Sequence, residues 1–406
     1  MVPSEKQIEI SAGAPVGIKS RTPVVLIVDD QEIIVEAIRK MLSDEKDIVV
    51  YSCTDPAKAL QVASECSPTV ILQDLVMPDI DGMTLLRYYR SFDATKDVPV
   101  IVLTSKEEAT TKAEAFGLGA NDYLVKLPDK VELIARIRHH SKSYVRLLQR
   151  NEAYAKLAES QKQLSTELAD AAAYVKSLLP NPLTGVVKTS WEYIPSTQLG
   201  GDSFGYHWID PDHLAIYLLD VCGHGVGAAL LSISIINVLR SQSLMNTDFT
   251  KPHDVLQVLN SNFPMETNNG MFFTIWYGVY NKIKKELSYA SGGHPPAILF
   301  TGDQPDSLEI VKLSTHGLVI GFTTGGKFVS ATCSLKKYNT LYIYSDGVYE
   351  IDVPGGQMLD LQDLIAVMAQ PSIKGVADTE RILNYMQEQK GPGPFADDFS
   401  LLQVVF

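Results

Sequence analysis

Four cysteines in 406 residues, none of them in a CxxC pair, exclude the usual zinc ribbon and the disulfide framework of small secreted domains. Cys53, Cys66, Cys222 and Cys333 stand far apart, which suits a reducing compartment and reads as four small, partly buried side chains. Also missing is any window of about 20 uncharged apolar residues, so no helix is expected to span a bilayer. The first 22 residues mix Ser, Gly, Pro and charges without a continuous apolar stretch and are expected to form a flexible tail, not a signal peptide. Dense Lys/Arg runs are absent too: 35 Lys and Arg stand against 48 Asp and Glu, a formal net charge of −13. Nucleic-acid binding takes most of its affinity from phosphate neutralisation, so a direct nucleic-acid partner is disfavoured. The expectation is a cytoplasmic protein with no membrane partner.

With 45% apolar and 20% charged residues the chain is of globular composition, and its length calls for two or three domains. From position 23 to about 142, short β-branched runs at 24–28, 70–73, 99–103 and 122–125 alternate with amphipathic helical stretches. That rhythm predicts an α/β domain with a doubly wound, flavodoxin-like parallel sheet. Ligands of such sheets gather at the carboxyl ends of the strands, where the sequence puts Asp29, Asp30, Asp74, Thr104 and Lys126. Crowded carboxylates repel one another unless a cation neutralises them, and Mg²⁺ held by carboxylates and water accommodates an approaching phosphoryl group. Asp74 is then the candidate nucleophile. Taken singly, each of these residues has a plainer reading as a helix cap or packing residue.

The stretches VVLIVDDQ, ILQDLVMPDIDG, IVLTS and NDYLVK resemble the receiver domain of two-component response regulators over about 120 residues. The resemblance implies that Asp29 and Asp30 bind Mg²⁺ together with Asp74 and the Val76 carbonyl, and that Asp74 accepts the phosphoryl group from a histidine kinase. It further implies that Thr104 and Lys126 contact the phosphoryl oxygens and that Tyr123 switches with Thr104, although an aromatic there can also simply pack on its neighbours. The family usually has Pro directly after the lysine. This chain reads Lys126-Leu127-Pro128, which leaves the shape of that loop open and is shared with Wsp-type diguanylate cyclases.

Between 143 and 179 there is neither glycine nor proline, and Tyr154, Leu157, Gln161, Leu164, Leu168, Ala171, Val175 and Leu178 recur in steps of three and four. This heptad seam predicts a helical coiled-coil linker over 143–180, buried either in a parallel homodimer or by folding back on its own domain. Gln161 in the seam would set register at some expense of stability.

From 181 to 406 the pattern changes to β-branched and aromatic runs between Gly, Asn and Asp turns, with helical stretches near 226–241, 252–260 and 360–368. An α+β domain, a β-sandwich flanked by helices, is the expected class. Four acidic spots lie beside glycines or at strand ends: Gly200-Gly201-Asp202, Asp220-Val221-Cys222-Gly223-His224-Gly225, Ser345-Asp346-Gly347 and Asp397-Asp398. Carboxylates so placed suit Mg²⁺ or Mn²⁺ bound through oxygen and water, and two such ions about 3.5–4 Å apart polarise a phosphate ester for in-line attack.

These four motifs resemble the protein phosphatase 2C family in its SpoIIE/RsbU-like branch. The resemblance implies two Mn²⁺ or Mg²⁺ ions, bridged by Asp220 with the Val221 carbonyl as a further ligand. It has Asp346 and Asp397 complete one site, and Asp202 act directly or through water. MFFTIWYGVY and SGGHPPAIL look like family segments as well, with supporting roles at most for Thr274 and His294. His224, in a Gly-His-Gly turn, is a candidate proton donor to the leaving serine, or only a turn residue. Gly200-Gly201-Asp202-Ser203-Phe204 superficially resembles the GGDEF motif of diguanylate cyclases, but the other acids have no place in that reading. The combined expectation is a response regulator whose receiver controls a metal-dependent serine/threonine phosphatase, acting on a phosphoserine STAS-domain anti-sigma-factor antagonist in a partner-switching pathway. The rival reading is a non-catalytic, phosphatase-like adaptor that works by binding alone.

Overall fold

A computed structural model describes residues 22–104, 109–323, 325–354 and 356–406. All of the expected N-terminal tail except Thr22 lies outside the described residues. The chain divides into two compact units, residues 1–162 and 163–406, taken in turn.

In the first unit five strands alternate with helices: β1 (Val24–Val28), α1 (Glu32–Leu42), β2 (Val49–Cys53), α2 (Ala59–Cys66), β3 (Val70–Asp74), α3 (Gly82–Ser91), β4 (Val100–Thr104), α4 (Ala109–Gly117), β5 (Asp122–Val125) and α5 (Lys130–Ser177). The strands form one parallel sheet in the order β2-β1-β3-β4-β5. β3 and β4 are buried along their whole length because helices cover both faces, which explains their unbroken apolar runs. One core layer sets Ile34, Val35, Ile38 and Leu42 of α1, with Leu133 and Ile137 of α5, against Val25, Ile27 and Leu72. The opposite layer sets Leu85, Leu86 and Tyr89 of α3 against Leu26, Ile71 and Val102. Strand β2 was not among the predicted strands. It is an edge strand with alternating exposure, so its apolar signal is half that of its neighbours.

Helix α5 runs unbroken for 48 residues, so position 143 falls inside a helix and not at an element boundary. At about 1.5 Å per residue it is on the order of 70 Å long. Its first turns are anchored by buried Leu133, Ile134, Ile137 and Ser141, the last bonded to Thr69 Oγ1 at 2.7 Å. Tyr154, Leu157, Gln161 and Leu164 of the seam are exposed, whereas Leu168 and Val175 are half-buried and Leu178 lies past the helix end.

The second unit continues with β6 (Lys188–Ile194), β7 (Ser203–Trp208), β8 (His213–Val221), α6 (Val226–Arg240), α7 (Pro252–Asn262), β9 (Phe273–Asn281), β10 (Glu286–Gly292), β11 (Ala297–Gln304), β12 (Ser307–Leu313), β13 (Ala331–Ser334) and β14 (Tyr338–Tyr344). After the short hairpin β15 (Asp352–Val353) and β16 (Gln357–Met358) come α8 (Leu361–Met368), α9 (Asp378–Lys390) and β17 (Phe399–Val405). Two antiparallel five-stranded sheets, β13-β10-β9-β8-β7 and β12-β11-β14-β17-β6, form a sandwich. Its filling includes Phe204, Leu218, Trp276, Leu299, Leu341 and Leu402, with the Trp276 indole donating to the Leu313 carbonyl at 3.0 Å. Helices α6 and α7 cover the outer face of the first sheet through Ile235, Leu239, Val255 and Leu259. Helices α8 and α9 cover the second through Leu364, Ile365, Ile382 and Met386. Four layers result, and β8 is apolar almost throughout because it is buried on both faces. Helix α9 was not predicted: its polar DTERILNYMQEQK sequence buries only a narrow stripe, Thr379, Arg381, Ile382 and Met386.

Candidate functional site

At the carboxyl edge of the parallel sheet, Asp74 ends β3 and Thr104 ends β4, while Asp29, Asp30 and Lys126 follow β1 and β5. Asp29, Asp30 and Asp74 each offer an oxygen within 4.8 Å of the others. Lys126 Nζ lies 2.7 Å from Asp74 Oδ2 and 3.3 Å from Asp29 Oδ2. Asp29 and Asp74 are buried, and the buried atoms Asp30 Oδ1 and Asp74 Oδ1 have no hydrogen-bond partner among the described residues. Burial, and next the charge of Asp74, holds the Asp29 carboxyl above its ordinary range against the pull of the Gln31 amide and Lys126. For Lys126, burial opposes the charge, but the hydrogen bond and charge of Asp74, reinforced by Asp29, win and raise its pKa. Thr104 is buried and its carbonyl accepts the Lys126 amide at 3.0 Å. Val76 is exposed in the loop after β3. Leu127 takes a left-handed conformation, φ 57°, which is the local shape of the Lys-Leu-Pro sequence. Tyr123 packs edge-on against Phe116, with Lys112 Nζ 3.9 Å from its ring centroid.

The second cluster forms where the sandwich strands end. Asp220, Val221, His224, Thr274, Asp346 and Asp397 all line one cavity of about 310 Å³, together with Ser196, Cys222 and Phe272. Register explains part of this, since β8 and β9 pair Asp220 with Thr274 and Val221 with Phe273. Thr274 Oγ1 is buried without a hydrogen-bond partner among the described residues. Burial first, then the charges of Asp346 and Asp397, pushes the Asp220 carboxyl up to about 7. Asp346 is raised by burial, Asp397 and Glu350 in that order. Asp202 does not line the cavity. It is buried behind it, raised well above the carboxylate range by burial and then by Asp220 and Asp398, and its Oδ2 lacks a hydrogen-bond partner among the described residues. His224 is exposed at the cavity wall. His294 is elsewhere: it is buried, its Nδ1 lies 2.9 Å from the Pro295 carbonyl, and burial lowers its pKa to about 4.

Sequence reading gave no role to Asp398, the buried partner of the Asp397-Asp398 doublet. Its Oδ1 accepts Ser196 N at 2.7 Å and Ser196 Oγ at 2.9 Å, and its Oδ2 accepts Gly201 N at 2.7 Å. Backbone approaches here are too close for side chains: a Cβ on Gly200 would strike the Asp398 carboxylate, and one on Gly347 would strike the Asp398 carbonyl. Gly200 and Gly347 are therefore packing requirements of the cluster, whereas Gly223 and Gly225 have open space at the Cβ position and are set by their positive φ of 88° and 89°.

Residues 25–138 match the response regulator receiver domain, and residues 210–406 match the family described as Stage II sporulation protein E, SpoIIE. Over 251 residues the chain is 30% identical to the phosphoserine phosphatase RsbU of Bacillus subtilis (strain 168), covering 60% of this chain and 70% of the relative. The chain belongs to this RsbU-like SpoIIE family. This receiver-bearing SpoIIE-family chain is also 28% identical over 240 residues to the phosphoserine phosphatase RsbP of the same organism, covering 59% of this chain and 57% of RsbP. Among solved structures, the SiaA-PP2C domain of Pseudomonas aeruginosa aligns with a TM-score of 0.52 at 19% identity, covering 61% of this chain and 99% of that one. The PP2C fold of the second unit is thus shared, with its receiver a separate α/β unit. No helix among the described residues is long and apolar enough to cross a membrane.

Proposed function

We propose that this SpoIIE-family chain is a metal-dependent phosphoserine phosphatase in the cytoplasm, controlled by phosphorylation of its receiver at Asp74. The grouping of Asp220, Asp346 and Asp397 on one cavity, with Asp220 raised to about 7, is the observation that carries the reading. Carboxylates that repel one another on one cavity fit hard divalent cations, and in the receiver buried oxygens of Asp30 and Asp74 lack hydrogen-bond partners among the described residues. In the receiver, Asp29, Asp30, Asp74 and the Val76 carbonyl would hold Mg²⁺. In the phosphatase domain Asp220, the Val221 carbonyl, Asp346 and Asp397 would hold two Mn²⁺ or Mg²⁺, with Asp202 behind them. Such ions, when bound, supply charge neutralisation for the phosphate ester and an activated water.

The chain's own residues have these parts. An Asp74 oxygen attacks the phosphohistidine phosphorus of a partner kinase, the P–N bond breaks, and the imidazole leaves with its electron pair. Lys126, already 2.7 Å from Asp74, meets the incoming phosphoryl oxygens with Thr104. Loss of the Asp74–Lys126 ion pair and movement of Tyr123 then alter the unit. In the phosphatase domain a water oxygen attacks the phosphorus opposite the serine oxygen, the P–O bond to serine breaks, and His224, exposed at the cavity wall, gives a proton to the departing serine oxygen, leaving serine and inorganic phosphate. The substrate is a phosphoserine STAS-type anti-sigma-factor antagonist. Exposed seam residues Tyr154, Leu157 and Leu164 support a homodimer through α5.

Mn²⁺-dependent phosphate release from a phosphoserine STAS-type protein, with and without beryllofluoride on Asp74, tests the scheme. Release that responds to beryllofluoride and is lost in Asp220→Ala is expected. No release in either state at saturating Mn²⁺ overturns it.

A further inference from the structure

The acidic cavity opens onto a surface of the opposite character. Phe272 to Thr274 line it, α6 starts at Val226 two residues after the lining His224, and the loop 317–323 meets Phe272 through Phe322. No charged residue occurs in 226–239, 270–280 or 317–323. Phe272 lines the cavity and also meets Phe322 edge-on, with ring centroids 5.9 Å apart and planes at 82°. Phe322 is nevertheless 55% exposed, as are Val226 at 49% and Leu230 at 60%, one helical turn apart on α6. Gly227 of that helix lies against Met271, the neighbour of Phe272.

An exposed phenylalanine on a loose loop would mean little, but this one is pinned. Asn260 of α7, 1% exposed, accepts the Gly321 amide at 2.8 Å and donates to the Thr323 carbonyl at 2.8 Å. The loop is also paired to Phe273 in both directions through Ile320, at 3.1 and 2.8 Å. A buried amide that satisfies the backbone on both sides of Phe322 holds the loop that carries its ring beside Phe272, which lines the cavity, with half the ring's surface in water.

We propose that Phe322, with Phe272, is a specificity-determining aromatic rim that receives an apolar side chain next to the phosphoserine of a protein substrate. The proposal rests on the phosphatase reading and narrows its substrate class to phosphoserine flanked by an aliphatic or aromatic residue. An acidic flank would be desolvated against the rings without a partner and beside the carboxylates of the cavity, whereas an apolar one leaves water. Continuity between rim and cavity, through Phe272, sets the spacing: the recognised side chain belongs to a residue adjacent to the phosphoserine.

The test uses the full chain with Mn²⁺, with and without beryllofluoride, and two pentapeptides carrying Leu or Asp on both sides of phosphoserine. Expected is a kcat/KM for the Leu peptide about tenfold higher, mostly through KM, the scale of one apolar side chain leaving water. Phe322→Ser should bring the ratio below about threefold, Phe322→Leu should keep it, and both should hydrolyse p-nitrophenyl phosphate at the wild-type rate. Fluorescence anisotropy of the labelled peptides should show the same order of binding. Hydrolysis by the wild type without flank preference, or a preference that survives Phe322→Ser, overturns the rim alone. A Phe322→Ser chain whose selectivity is unchanged but whose mass in solution falls would make the rim a contact between copies and likewise overturn it. Failure to hydrolyse either peptide or p-nitrophenyl phosphate overturns the phosphatase reading and the rim with it.

Discussion

Ser196 gives Asp398 both its amide and its hydroxyl, at 2.7 and 2.9 Å, while the other Asp398 oxygen takes the Gly201 amide one residue before Asp202. One buried carboxylate thus ties the 196–202 segment to the strand that follows Asp397. The same segment faces α5: Ala172, Val175 and Lys176 line a small cleft with Tyr193, Pro195 and Leu199, and Gln198 Nε2 reaches Ser165 Oγ at 3.3 Å. Leu199 also accepts the Gly225 amide ahead of α6, at 3.1 Å. The segment that faces the end of α5 is therefore hydrogen-bonded both to Asp398, next to Asp397, and to the start of α6.

Asp398→Ala should consequently destabilise the phosphatase domain on the order of 2–4 kcal/mol, because buried amides lose their acceptor. Ser196→Ala, which keeps the amide bond, should cost about 1 kcal/mol or less. Chemical denaturation monitored by tryptophan fluorescence compares the two. Equal effects would mean that Asp398 is not the organiser of the segment.

Asp220 carries a sign reversal. In the metal-free chain its charge stands against Asp346 and Asp397 under burial, so Asp220→Asn should raise the melting temperature, by roughly 2 to 6 °C. With Mn²⁺ in excess the order should invert, since the wild type gains binding energy that the variant has lost. Calorimetry with and without chelator reads both, and an Asn variant less stable than wild type in chelator would contradict the repulsion.

The acids that line the cavity were legible because each sits in a short local signature, a strand end beside glycine, that can be read without knowing the fold. Asp398 was not, because its partners lie 197 and 202 positions away and nothing local distinguishes it from a turn residue. Phe322 escaped notice for the same reason: its meaning comes from Phe272, fifty positions earlier, and from Asn260 on another helix. Strand β2 and helix α9 were missed for a different one, as elements with little buried apolar surface carry weak periodicity. The receiver residues were readable together because a parallel sheet brings every strand's carboxyl end to one edge, so position in the rhythm is position in space.

His294 makes acid sensitivity predictable. Its folded pKa, about 4, lies below the ordinary 6.5 because burial disfavours the imidazolium. A group depressed in the folded state contributes stability that is full above the unfolded value and is lost as pH falls towards the folded one. The phosphatase domain should therefore lose on the order of 1–3 kcal/mol between pH 6.5 and 4 through this residue. His207, lowered to about 4 by burial and then Arg240, acts in the same direction. His294→Gln should flatten the pH dependence of unfolding over that window while lowering stability at pH 8, and an unchanged slope would remove His294 from the account.

The middle of α5 carries exposed apolar side chains along one seam. Tyr154, Leu157 and Leu164 are each more than half exposed on a helix that, over residues 151–164, buries none of its side chains. Most helical stability in proteins comes from packing of an apolar face, and a seam with three- and four-residue steps is matched by a second copy of itself. Light scattering should give twice the chain mass for the wild type. Leu157→Asp with Leu164→Asp should return the mass of one chain and lower the far-ultraviolet helical signal, because the unpaired stretch frays. It should leave the melting of the receiver unchanged, whose anchoring residues on α5 end at Ser141. A wild type that already sediments as a single chain, with α5 fully helical, would show that the seam is stable in water by itself and that any signal from the receiver passes along one helix without a dimer.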